Sequence, residues 1–118
     1  MRSMTNPVVK RLLQREPWIK EVDWAVRPVV ILLWINGVHT FASGRGGSGD
    51  SEYPWVRFVA ETPVETTKVH QLLMEHGFRY FDVTWLLTIC HVNGTRAFGE
   101  VVFRDMMATV PYGWREST

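Results

Sequence analysis

At 118 residues the chain fits one domain with a modest core, and 46% apolar with 21% charged residues is ordinary for a globular protein. A formal net charge of +1 argues against a dedicated nucleic-acid binder, which carries a basic excess, and ten of the thirteen cations are Arg rather than Lys. The single cysteine, Cys90, excludes an intramolecular disulfide and predicts a reducing, cytoplasmic setting.

No apolar h-region follows Met1, so no signal peptide is expected. The longest apolar run, Val29 to Ile35, falls far short of the roughly 20 residues a membrane helix needs. Six Trp in so short a chain point to a thick core or to an interface.

Asn6-Pro7 reads as an N-cap and first helical residue, with Val9, Leu12 and Leu13 on one face and Pro17 ending the helix near Glu16. Trp18 to Arg27 allows an edge strand or an extended connector. Val29 to Ile35 is apolar on both faces and predicts a strand that is covered on both sides or met by a partner. Asn36-Gly37 then predicts a hairpin turn, with the chain returning through Val38 to Ala42.

Ser43 to Glu52 has the composition of a flexible connector. It is not a phosphate loop: after Gly44 and Gly49 that motif demands Lys and then Ser or Thr, and here Asp50-Ser51 follow. Tyr53 to Glu61 predicts a strand beginning at Trp55 or Val56, with Pro54 at its edge or first position.

Thr62-Pro63-Val64-Glu65 has the form of a capping box, followed by Val69, Leu72, Leu73 and His76 at helical spacing, with Gly77 as the left-handed terminator. Arg79 to Val92 predicts a long strand. Phe81, Val83, Trp85, Leu87 and Ile89 face the core, and Tyr80, Asp82, Thr84, Leu86, Thr88 and Cys90 form a mixed second face. Asn93-Gly94 predicts a type I′ turn into a return strand, Thr95 to Arg104, and this reading displaces the Asn93-Gly94-Thr95 glycosylation sequon. A short turn is expected at Asp105 to Ala108, and a loose tail over Pro111 to Thr118. The two Asn-Gly segments, each after a Pro-started helix with a Leu-Leu pair (Leu12-Leu13, Leu72-Leu73), fit either an αββ duplication or chance sharing of good turn chemistry.

Chemistry-bearing residues are sparse. His39, His70, His76 and His91 contain no pair at ligand spacing, and no metal or cofactor is expected. Asp82 and Cys90 share a face but lie roughly 27 Å apart along a strand, too far for a catalytic relay. Asp82 or Glu100 facing an apolar cavity of a cone-shaped α+β fold would be a general base, the alternative being that an edge position or a bulge at Gly99 turns Glu100 to solvent. Arg57, Arg79, Arg96 and Arg104 alternate with Trp55, Phe58, Tyr80 and Phe98, a pattern that stacks single-stranded nucleic acid, but interspersed acids weaken it.

From Arg27 to Tyr80 the order of elements resembles small phage tail-terminator proteins. The features are a Pro-led apolar strand ending in a Gly turn (Pro28 to Gly37), a variable Gly-rich loop, a strand ending Ala-x-Thr (Val56 to Thr62) and a helix that would lie across the sheet (Val64 to His76). The resemblance covers about half the chain, and the C-terminal hairpin and tail do not match the family's closing strand. It implies a ring-forming structural protein, located in a virion, and carries over no functional residue.

The expectation is therefore one α+β domain over residues 1–118: an antiparallel sheet of about five strands, a helix across one face and a short N-terminal helix. Its expected function is non-enzymatic self-assembly or binding of a protein partner. The interface candidates are Val30, Leu32, Trp34, Trp55, Tyr80, Leu86 and Arg96, and the alternatives are a pocket enzyme and a nucleic-acid binder.

Overall fold

The computed structural model describes residues 6–47, 53–90 and 94–104. Helix α1 (Pro7–Arg15) is capped by Asn6, whose Oδ1 accepts the Val8 N–H at 2.8 Å, and it buries Val9, Leu12 and Leu13. Pro17 ends α1 and opens a 3-10 turn, Pro17–Glu21, that buries Ile19. The Trp18–Arg27 segment is thus helical turns rather than an edge strand or extended connector.

Val29 to Ile35 is not a strand; it lies within helix α2 (Arg27–Ile35). Asp23 sets up the start. Its side chain accepts the Ala25 N–H at 2.9 Å, its carbonyl accepts the N–H groups of Val26 and Arg27, and the Arg27 guanidinium donates back to the Val22 carbonyl at 2.7 Å. Pro28 occupies the first turn, where no donor is lost. Val29 through Leu33 are all buried, so α2 is enclosed on every side, which removes the periodicity that would have marked it as a helix.

Asn36-Gly37 is accordingly a helix terminus and not a hairpin turn. Gly37, at φ +80°, donates to the Trp34 carbonyl, and Val38 donates to Leu33 at 2.9 Å, the Schellman pattern. Helix α3 (Pro63–Glu75) ends in the same way: Gly77, at φ +90°, donates to Met74, and Phe78 donates to Leu73 at 3.0 Å.

Four strands form one antiparallel sheet among the described residues: β1 (Thr40–Gly44), β2 (Trp55–Val59), β3 (Phe81–Cys90) and β4 (Gly94–Phe103), in the order β1-β2-β4-β3. Ser43 and Gly44 thus belong to β1 rather than to the connector. Cys90 pairs with Gly94, whereas a two-residue Asn93-Gly94 turn would pair Val92 with Thr95. The residues between them, 91–93, lie outside the described ones, as do residues 48–52 of the connector and the whole segment 105–118.

Register fixes the two faces of the sheet. Val56 and Phe58 of β2, Val101 and Phe103 of β4, and Phe81, Val83 and Trp85 of β3 share one face and join Val9, Leu12, Val29, Leu33, Val69 and Leu73 in a single core. Helices α2 and α3 therefore lie against this inner face, with α1 packed on α2. Phe58 lies directly over Gly99, where an added Cβ would come within 2.2 Å of its ring; this close approach explains a glycine inside β4.

The elements α2-β1-β2 and α3-β3-β4 repeat the same αββ order, and the strand order has the symmetry of a two-fold axis normal to the sheet between β2 and β4. Forty residues separate Val29, Leu32, Leu33 and Gly37 from Val69, Leu72, Leu73 and Gly77.

A candidate association surface on the β3–β4 ribbon

β2 ends at Val59, opposite Phe98, while β4 starts four residues earlier at Gly94 and β3 runs on to Cys90. The last part of β3 and the first part of β4 therefore project beyond the sheet as a two-stranded ribbon. Trp85 marks where the ribbon leaves the core: its Nε1–H donates to the Ala60 carbonyl at 3.1 Å. The apolar row begun by Phe81, Val83 and Trp85 continues onto the ribbon as Leu87 and Ile89, which are 57% and 79% exposed. Strand parity assigns these two to the core face, and the face is right. The helices do not reach that far along it.

The opposite, outer face has no helix among the described residues. Across it the Arg57 guanidinium lies 4.9 Å from the Trp55 ring and 5.5 Å from Phe98, and its Nε donates to Glu100 at 2.8 Å. Phe41 meets Phe98 edge-on at 5.7 Å. A cleft of about 750 Å³ opens where β2 stops, lined by Phe41, Arg57, Val59, Glu61, Arg96 and Phe98.

The candidate residues separate. Val30 and Leu32 sit in α2 with their side chains covered by this chain's own core, so they present no surface to a partner. Trp34 is half-buried, its Nε1–H donating to Thr40 Oγ1 at 3.0 Å and its ring stacked on His39. Trp55, Leu86 and Arg96 share the outer face. Tyr80, 74% exposed and at φ +59°, stands where the chain enters β3.

Asp82 and Glu100 also lie on the outer face. Neither faces an apolar cavity on the helix-covered side, and no bulge displaces Glu100, which pairs in regular register with Arg57. Asp82 accepts from Arg104 Nε at 2.6 Å. Both carboxylates are thus held in ion pairs on a solvent-facing sheet. Of the nucleic-acid set, Trp55, Arg57, Arg96 and Phe98 come together, Phe58 is in the core, and Arg79 and Tyr80 lie at the far end of β3.

Leu87 and Ile89 are the surface residues that sequence reasoning missed: it put them on the right face but counted them as core. The signal that could have found them is length: β3 has ten residues and β2 only five. No helix among the described residues is long and apolar enough to cross a membrane. Compared with known proteins, the chain matches no family model, no curated protein and no solved structure.

Of the segments quoted for the tail-terminator resemblance, Val56 to Thr62 overlaps β2 (Trp55–Val59) and Val64 to His76 overlaps α3 (Pro63–Glu75), while Pro28 to Gly37, expected as a strand and its turn, falls on α2 (Arg27–Ile35) and its terminus.

Proposed function

We propose that this chain is a non-enzymatic association protein that binds a protein partner through its β3–β4 ribbon. The observation that carries the reading is the exposure of Leu87 and Ile89 on a ribbon that outruns its own core. Burying an aliphatic side chain of this size is worth about 1.5–3 kcal/mol, so covering both favours association by several kcal/mol before the cost of ordering is met. Light scattering at micromolar concentration, in low and high salt, tests this. The unmodified chain is expected to run larger than a monomer or to capture a partner, and Leu87→Ser with Ile89→Ser to run as a monomer with an unchanged circular dichroism spectrum. A strictly monomeric chain that holds no partner overturns the reading. The ring implied by the tail-terminator resemblance, and with it a place in a virion rather than the cytoplasm, would register as a closed assembly of several copies.

A second reading has its own observation: Arg57 laid against Trp55 and Phe98, with Arg96 beside them, on a helix-free sheet face. Aromatic platforms with Arg neighbours stack unpaired bases. Binding of fluorescent oligonucleotides that weakens steeply with salt and is lost on Phe98→Ala would promote this reading over the first.

A further inference from the structure

We propose that the partner of the β3–β4 ribbon is a second copy of this chain, joined edge to edge through β3 about a two-fold axis centred on Leu86. The proposal rests on the association reading above and makes it specific.

The edge is available. β3 is the last strand of the sheet, and no other strand among the described residues pairs with its outer side. Tyr80 turns its carbonyl toward β4, where it accepts the Arg104 N–H at 2.7 Å. Alternation along the strand then points the N–H and C=O groups of Val83, Trp85, Leu87 and Ile89 outward. The strand carries none of the devices that blunt an edge: from Phe81 to Cys90 there is no Lys, Pro or Gly, and the one charged residue, Asp82, lies near its start and is already paired with Arg104.

The edge also fits itself. Read outward from Leu86, the strand is a palindrome of chemical character: Trp85 and Leu87 are large and apolar, Thr84 and Thr88 are hydroxylic, and Val83 and Ile89 are β-branched aliphatics. An antiparallel two-fold at Leu86 places Trp85 opposite Leu87 of the second copy, Thr84 opposite Thr88, and Val83 opposite Ile89. Trp85–Leu87 and Val83–Ile89 fall on the outward-pointing backbone groups, so each becomes a pair that exchanges two ladder bonds, and Leu86 meets its own image at a close, non-bonded position. A shift of one residue would put the outward groups opposite inward ones, and a shift of two keeps the bonds but sets Trp85 or Leu87 against its own image and breaks the palindrome, so the side-chain pattern selects the axis at Leu86 among the registers the backbone allows. In this arrangement the exposed Leu87 and Ile89 continue the row formed by Trp85 and Val83 of the second copy, an isologous contact that closes at two subunits.

The test uses the full chain. Sedimentation at tens of micromolar is expected to show a dimer. Leu86→Lys and Leu86→Glu place like charges opposite each other at the axis and are each expected to run as monomers with an unchanged circular dichroism spectrum. An equimolar mixture of the two is expected to recover a mixed dimer. Should either variant misfold, Leu86→Cys in a Cys90→Ser background supplies the readout, with mild oxidation expected to give a covalent dimer through residue 86.

A wild-type monomer overturns the proposal, whether the edge is then shown to hold residues 105–118 (dimerisation only after their removal) or a different protein. So does a dimer retained in both charged variants, or a mixture that stays monomeric. If Leu87→Ser with Ile89→Ser abolishes a dimer that both Leu86 variants retain, the two-fold register fails while the association reading stands.

Discussion

Gly99→Ala tests the packing on which the ribbon is anchored. A methyl group at this position would lie 2.2, 2.4 and 2.8 Å from three atoms of the fully buried Phe58 ring, where ordinary contact begins near 3.4 Å. The ring must retreat by more than an ångström into a filled core. Overpacking of this kind costs about 1–3 kcal/mol, offset by the roughly 0.4–1 kcal/mol that Gly→Ala gains by restricting the unfolded chain. A net loss near 1–2 kcal/mol is therefore expected, a fall in Tm of roughly 4–12 °C for a chain of this size. Phe58→Leu removes the outer ring atoms at its own cost of about 1–3 kcal/mol. In that background Gly99→Ala is expected to be neutral or stabilising, which gives a coupling energy of at least about 1 kcal/mol in a double-mutant cycle. Urea denaturation of the four proteins, followed by far-ultraviolet circular dichroism, measures it. Equal costs for Gly99→Ala in both backgrounds would refute the reasoning.

Glu65 provides a pH prediction. Its hydrogen bond with the Thr62 hydroxyl, helped by backbone donors that include the Thr62 N–H, holds its carboxyl below the ordinary value of 4.5. A lowered folded-state value means the charged cap stabilises α3 above about pH 4.5 and is lost as acid carries the pH down through the folded-state value. Glu65→Gln is therefore expected to flatten the acid limb of thermal stability while leaving the neutral-pH spectrum intact, and an unchanged acid limb would count against the cap. Gly37→Ala and Gly77→Ala each force a side chain into left-handed backbone and are expected to cost about 1–2 kcal/mol apiece by thermal melting. Roughly additive losses are expected in the double variant, because the two caps terminate different helices.

Where local chemistry was unambiguous the fold could be read from the sequence. Asn6-Pro7 and the Thr62–Glu65 box each announced a helix start, and β-branched and aromatic enrichment marked β3 and β4. Val29–Ile35 was illegible because burial on all sides erases both periods at once. Asn36-Gly37 compounded the error, since a type I′ turn and a Schellman terminus ask for the same left-handed glycine. What separates them is Leu32-Leu33 standing four and five residues before Gly37, as Leu72-Leu73 do before Gly77. The surface was half legible: parity placed Leu87 and Ile89 on the correct face, but how far the helices extend over that face is a tertiary property. Parity already puts Trp55 and Arg57 on one face of β2; that Phe98 and not Phe58 completes the cluster follows only from the pairing of β2 with β4.

The two αββ units also bear on how the chain finds its structure. β1–β2 and β3–β4 join strands that are consecutive in sequence, so each half closes over short spans of chain. The β2–β4 seam, from Trp55–Val59 to Phe98–Val102, is the long-range pairing, and it has the whole of α3 and β3 between its partners. Most contact-forming steps are thus local, and the entropic cost of a long closure is concentrated in one event. Phe58 and Gly99 face each other across that seam, so the tightest fit in the sheet is completed when the two halves join.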